Sequence, residues 1–354
     1  MVTQPGKRPL VTGMIVCAVV ALVFMPSLLC AQAKPTAQKP YDIKIYTFTT
    51  GSWAYVMGVA LAEMINKDSK WLRATAVEGS VPGVNLKMLA ARPELRKNTL
   101  VHGNVTALFD AKNSQDVFKG MAPVRSLRSV ALIGAAAWFF ATCDPKVKSL
   151  KDLSGKRVAA GPRDVTTLEL PKTLLELAGA QNVRISNTQA ILKDGPDWLR
   201  DGVVDAAVAT GFPIDEKGSK CVPTPGLFEL KEVKDTYFIS FEQTLFDSAM
   251  KKFPGYPLRF ATLKPGAISA KQTNAVNTWV AYPVWMCDME MPEEVVYEII
   301  RVYAQNVNRF KEYNPLGQLI TPTTMGLLGA EEDYHPAVLK FFKEKGIKTG
   351  WFTF

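Results

Sequence analysis

YDIKIYTFTTGSWAYVMGVALAEMINKD, residues 41–68, passes from one periodicity to another within a single loop. Ile43 and Ile45 lead an extended run through Phe48, and then Met57, Leu61, Met64 and Ile65 recur at helical spacing. Thr49-Thr50-Gly51-Ser52 between them supplies a turn and a cap for the free amides of the helix start. Strand, polar glycine turn and helix in that order are the building unit of an α/β fold.

The unit repeats. A strand around Ala74–Val77 precedes a helix carrying Val84, Leu86, Met88 and Leu89, and a third strand, Thr99–Val101, precedes a helix from Val105 to about Ala111. This rhythm predicts an open parallel sheet with helices on both faces. Asp110–Pro123 reads as a polar connection and Ser129–Gly134 as a further strand. After Trp138-Phe139-Phe140 the rhythm restarts. Ser149–Leu153 reads as one helical turn, Gly155 as a bend and Arg157–Ala160 as a strand. Leu168–Ala178 reads as a helix closed by Gly179, with Pro171 tolerated near its first turn. Strand Val183–Ile185, a helix to Arg200 and strand Asp205–Thr210 follow, then a loop over Pro213–Pro225. The tail is helical, at Glu293–Phe310 and Ala337–Lys345. The expected fold is therefore α/β and two-lobed, each lobe an open sheet flanked by helices, with a cleft between. Residues 41–136 and 246–354 would form lobe 1 with the C-terminal helices, and 137–245 lobe 2.

Residues 1–33 stand apart. Lys7 and Arg8 precede an uncharged run from Leu10 to Ala33, closed by the small-x-small triplet Ala31-Gln32-Ala33. That pattern reads as a secretory signal peptide cleaved after Ala33, and it predicts a periplasmic protein. An uncleaved anchor is the competing reading, since the run is long enough to span a bilayer. Residues 34–40, with Pro35 and Pro40, form a tether. The whole chain has 354 residues and a net charge of +9, and cleavage removes Lys7 and Arg8 from that excess. The remaining basic residues are scattered, which argues against nucleic acid as a partner. Of five cysteines, Cys17 and Cys30 leave with the signal. Cys143, Cys221 and Cys287 match no metal spacing and allow at most one disulfide.

Four strand-to-helix junctions share one chemical character: Thr49-Thr50-Gly51-Ser52, Gly79-Ser80, Gly103-Asn104, and Gly161 through Thr167. Each joins glycine or proline to Ser, Thr or Asn. Capping alone explains any one of them. Together, at the carboxyl ends of parallel strands, they offer amides and partial positive charge to a small anionic or polar ligand. Arg163 can grip a carboxylate through two parallel hydrogen bonds, and Asp164 can meet an ammonium group; the alternative is that the two simply pair on the surface. Trp53, Tyr55 and Phe212 would wall the ligand by apolar contact, and His102 follows an apolar strand where it could line the cleft. The chain lacks GxGxxG after a strand, a Walker loop, HExxH, GxSxG and CxxC, so neither enzyme chemistry nor a cofactor is expected.

At these junctions the sequence resembles the TAXI family, the extracytoplasmic solute receptors of one branch of TRAP transporters. The resemblance is carried by Thr50-Gly51-Ser52-Trp53-Ala54-Tyr55 with Gly58, Asn85-Leu86 with Met88-Leu89, and Lys148 through Val158 leading into Gly161-Pro162. Asp201-Gly202 with Asp205-Ala206, Gly211 and Pro213 continue it, and His335-Pro336 before Lys343 closes it. The resemblance implies a periplasmic-binding-protein fold of the type II kind. It also implies a monomeric receptor that closes on a small carboxylate or amino acid and delivers it to a sodium-coupled permease. Its ligand residues would be Thr50, Gly51, Ser52, Trp53, Tyr55, Asn85, His102, Asn104, Arg163, Asp164, Thr166, Thr167 and Phe212. The chain departs from the family where a glycine-rich loop is usual, reading Gly161-Pro162-Arg163-Asp164-Val165-Thr166-Thr167-Leu168. Side-chain donors there replace exposed backbone amides, and a ligand unlike the usual glutamate-like one is expected. A binding protein of an ATP-driven importer for a sulfonate or pyrimidine precursor, and the sensing partner of a kinase, are the rival readings.

Overall fold

A computed structural model describes residues 40–161, 166–188 and 192–354, with residues 166–168 described by backbone only. The expected signal peptide, nearly all of the tether, Arg163 and Asp164 lie outside the described residues. The first lobe opens with β1 (Tyr41–Tyr46), α1 (Trp53–Asp68), β2 (Leu72–Val77), α2 (Pro82–Ala91), β3 (Thr99–Asn104), α3 (Val105–Asn113) and β4 (Leu127–Leu132). The chain then builds β5 (Ala136–Thr142), β6 (Arg157–Gly161), α4 (Thr166–Leu177), β7 (Arg184–Asn187), α5 (Asp194–Arg200) and β8 (Ala206–Pro213). It continues through β9 (Cys221–Pro223), α6 (Pro225–Val233), β10 (Tyr237–Ile239), α7 (Gln243–Met250), β11 (Arg259–Leu263) and β12 (Val276–Ala281). It returns with β13 (Pro283–Asp288), α8 (Glu293–Gln305), α9 (Phe310–Tyr313) and α10 (Pro336–Lys345).

These elements form two sheets flanked by helices, the α/β class expected. The first has five strands in the order β2-β1-β3-β13-β4, and the second runs β11-β12-β5-β8-β6-β7, with β10 on β5 and β9 on β8. Only β2-β1-β3 and β7-β6-β8 are parallel; β13, β4, β5, β12 and β11 pair antiparallel, so both sheets are mixed where a parallel sheet was expected. The strands over 237–288 were not foreseen, because single apolar runs there lack the glycine-bounded rhythm of the earlier units. The expected return to the first lobe at residue 246 also differs from the pairing. β12 pairs with β5, and α7 lies against α4, so residues 246–281 belong with the second sheet. Pro171 lies inside α4, at its sixth residue, rather than in its first turn.

Two segments cross between the sheets: Ile133–Ala135 joins β4 to β5, and Tyr282 alone joins β12 to β13. The amide of Ile133 donates to the carbonyl of Pro283 at 2.9 Å, so the first crossing is tied to the strand that the second enters. One apolar core fills around Ile45, Leu61, Leu100, Trp285 and Ile299. A second fills around Phe140, Leu170, Leu174 and Trp279. Arg157 fastens β6 to β8: its guanidinium bonds the carboxylate of Asp205 at 2.8 Å and 3.2 Å, which holds that carboxyl at about 2. Cys143, Cys221 and Cys287 are all free thiols, and burial pushes all three up.

Helix α1 seats on the first sheet by close approach. A Cβ on Gly58 would stand 2.3 Å from Cγ2 of Thr47 and 3.2 Å from the Trp285 ring. The Thr47 hydroxyl donates to the carbonyl of Val77 at 2.9 Å and so is not free to turn aside. Gly58→Ala is expected to destabilise the protein by about 1–3 kcal/mol despite alanine's better helix propensity. Chemical denaturation of wild type and variant measures this, and a stabilised variant would show that α1 can lift without cost.

Candidate functional site

The loop after β1 turns through Gly51, whose φ of +84° suits glycine. Ser52 then caps α1, its hydroxyl accepting from the Tyr55 amide at 3.2 Å. Trp53 is the first residue of that helix. Its ring lies 5.7 Å from His102 edge-on and 5.2 Å from Phe212 of the second lobe. Trp53 is thus packed against both cores at once.

His102 sits on β3, paired in register with Trp285 of β13, so the two rings share one face of the sheet. Phe48, Trp53 and Trp285 surround the imidazole at 6.4, 5.7 and 6.3 Å. Neither ring nitrogen has a hydrogen-bond partner, and burial pulls the imidazole down to about 4. The ring is therefore neutral through the physiological range. Phe48 and Trp285, which complete this ring cluster, are not among the residues expected from the sequence. Trp285 could have been found only through the antiparallel pairing that no short-range pattern reveals.

The other expected residues divide by what occupies their polar atoms. Asn85 is buried, and its amide is spent on the fold: it donates to the carbonyls of Thr47 at 2.7 Å, Ser80 at 2.9 Å and His102 at 3.1 Å, and accepts from Ser80 at 2.8 Å. It locks α2 to the ends of β1 and β3. Asn104 caps α3, accepting from the Ala107 amide at 2.6 Å and the Thr106 hydroxyl at 2.8 Å. Thr50 donates to the exposed carboxylate of Glu78 at 2.5 Å, an acidic neighbour the loop reading did not include. Thr166 and Thr167 begin α4, with side chains outside the description, and Arg163 and Asp164 are likewise undescribed. Trp53, His102 and Phe212 are the expected residues that the structure gathers into one cluster.

Two open grooves lie elsewhere. One of 650 Å³ is lined by Asp215, Lys217, Lys220 and Lys311 among others, and one of 480 Å³ by Lys112, Arg125, Arg128 and Trp351 among others. No expected site residue lines either. Among the described residues no cluster of His, Cys, Asp and Glu could hold a metal, and no helix is long and apolar enough to cross a membrane.

A sequence model of the NMT1-like family matches residues 45–346. Among solved structures the chain is similar to a putative sulfonate ABC transporter, periplasmic sulfonate-binding protein SsuA from Methylobacillus flagellatus KT. Identity is 13%, coverage 89% of this chain and 97% of that one, and the TM-score 0.52. It is also similar to the periplasmic aliphatic sulphonate binding protein SsuA from Escherichia coli, at 13% identity, 86% and 84% coverage and a TM-score of 0.46. MatC from Rhodopseudomonas palustris with bound malate matches at 15% identity, 89% and 97% coverage and a TM-score of 0.46. At such identities the first of these supports a shared fold alone.

The buried neutral imidazole carries a pH signature. Its folded pKa, about 4, lies below the ordinary 6.5, so the unfolded chain binds the extra proton. His102 therefore contributes no penalty above pH 6.5 and a growing one as pH falls towards 4. Asp110, which burial raises to about 7, runs the opposite way and cancels between variants that both keep it. His102→Phe is expected to lose about 2–3 kcal/mol less stability than wild type between pH 7 and pH 4.5. Denaturation curves at the two pH values measure the difference, and parallel losses would mean that the imidazole is solvated.

Proposed function

The chain belongs to the NMT1-like family, and from that premise we propose that it is an extracytoplasmic solute receptor that binds a small organic anion or amino acid between its lobes and hands it to a membrane importer. The observation that carries this reading is the ring contact of Trp53 with Phe212, 5.2 Å between centroids, joining the two lobes through aromatic side chains. A receptor of this kind works by hinge closure, the ligand stabilising the closed population. The two crossing segments provide the hinge, and the cluster of Trp53, His102 and Phe212 provides a wall that forms only when the lobes meet.

The importer is proposed to be a TRAP-type permease, on the junction residues that resemble the TAXI family, with Arg163 holding a carboxylate of the ligand. An ATP-driven importer is the second reading, favoured by the fold likeness to a protein named as a sulfonate-binding component of an ABC transporter. Uptake by cells carrying the native operon separates the two: collapse of the sodium gradient stops the first and spares the second.

Mass spectrometry of the protein after denaturation should release an intact small molecule, and re-adding it at 100 times its dissociation constant should stabilise the fold by about 2.7 kcal/mol. Trp53→Ala should weaken binding about tenfold or more, as loss of a buried aromatic anchor does. Arg163→Ala should weaken a carboxylate ligand by a similar factor through loss of a charge-assisted bond. Isothermal titration measures both. Unchanged affinity in Trp53→Ala would remove the ligand from the cleft, and unchanged affinity in Arg163→Ala would remove that side chain from the site.

A further inference from the structure

The second sheet carries a row of buried polar atoms without partners. Trp279 of β12 stands opposite Trp138 of β5, and Trp138 stands opposite Thr210 of β8. Gly211 pairs with Pro223, so the next step in that register sets Thr210 opposite Thr224, and the Thr224 amide indeed donates to the Thr210 carbonyl at 3.3 Å. Residues directly opposite in antiparallel pairs share a face, so the four side chains form one line across β12-β5-β8-β9. Their exposures are 0%, 8%, 1% and 1%. Trp279 Nε1, Trp138 Nε1, Thr210 Oγ1 and Thr224 Oγ1 all lack a hydrogen-bond partner.

The place of this line in the fold matters as much as its chemistry. It lies in the half of the sheet nearest the crossing segments, because Ala136 and Ala281 lead directly into them. Phe212, two residues beyond Thr210, lies on the same face and meets Trp53. The line is therefore one step behind the interlobe aromatic contact. On either side of it the face is apolar. Ala281, Ala136, Phe212 and Val222 form the row towards the first lobe, and Phe140 opposite Val208 forms the row beyond. The two alanines keep the face shallow between the line and the crossing.

We propose that this row is a subsite holding an oxyanion head group of the ligand through neutral donors, with the ligand's apolar body lying against Phe212 and Trp53. The proposal rests on reading the interlobe cleft as the ligand site. An indole N–H can only donate, so the occupant must bring acceptors, and the threonine hydroxyls can rotate to donate as well. Carboxylate and sulfonate oxygens both meet that requirement. Among the described residues the row and the two rows beside it carry no cationic side chain, so the donors of the row itself are neutral. Adjacent strands are about 4.8 Å apart, so a head group centred on Thr210 reaches the donors on both sides.

The test uses Thr210→Val and Thr224→Val together, which remove both hydroxyls with little change in shape, and separately Trp138→Phe, which removes an N–H and keeps a ring. Wild type and variants are titrated calorimetrically with butanoate, benzoate, butanesulfonate and succinate, and circular dichroism checks the fold. The expected result is that wild type binds at least one monoanion, with carboxylate and sulfonate arms telling the two head groups apart. Both variants are expected to bind that monoanion about tenfold or more weakly while remaining folded. Equal affinity in a folded variant would overturn the subsite while leaving the receptor reading intact. Failure of wild type to bind any probe, with no small molecule released on denaturation, would overturn the receptor reading itself. If the double valine variant does not fold, Trp138→Phe decides.

Discussion

One backbone hydrogen bond, from the Ile133 amide to the Pro283 carbonyl at 2.9 Å, ties the first segment by which the chain passes between its sheets to the strand that the second segment enters. Each segment is short and runs from a strand of one sheet straight into a strand of the other, so the sheets cannot slide past one another without breaking register. The Val105 amide adds a bond to the carbonyl of Tyr282 at 3.2 Å, anchoring the second crossing to the start of α3. A third link lies alongside. The Thr262 amide donates to the Phe354 carbonyl at 3.0 Å, the Tyr282 hydroxyl donates to the Phe352 carbonyl, and the Arg259 guanidinium lies 3.8 Å over the Trp351 ring. These three connections are where the two sheets are joined, and the hinge of the proposed closure would lie in them.

The interior of that space is unusual in its balance of charge. Its aromatic wall surrounds a histidine that burial keeps neutral, and the charges that stabilise the fold lie elsewhere, as in the Arg157–Asp205 pair or the bond between Ser126 and buried Asp288. Polar side chains close to the cleft follow two patterns. Asn85 and Asn104 are satisfied by backbone and serve to fix loop ends. The row from Trp279 to Thr224 is unsatisfied and carries the donors an incoming group would need.

Legibility in the sequence followed contact range. Strand–turn–helix units at residues 41–111 and 157–210 were readable because their periods change within one loop, and the capping role of Ser52 and Asn104 follows from residue type alone. Trp53, His102 and Phe212 were legible as candidates from their place at strand ends. The strands from Tyr237 to Asp288 were not, since their apolar runs acquire meaning only by pairing with β5, β3 and β4 far back in the chain. Trp138 and Thr210 were passed over for the same reason. A threonine in AAVATGFP is unremarkable until the register places it between two other orphaned donors.

By itself, then, the amino-acid sequence determined the local units, the α/β class, the polar character of the strand-to-helix loops and the lack of motifs for enzyme chemistry. All of these depend on residues within a turn or two of each other, where side-chain type and backbone preference act directly. Only the tertiary structure decided that the sheets are mixed, that the second runs on to Ala281, that Trp53 meets Phe212, and that His102 is buried neutral. Those outcomes come from burial and pairing between segments about 50 to 180 residues apart, and such contacts are chosen by the packing of the whole chain.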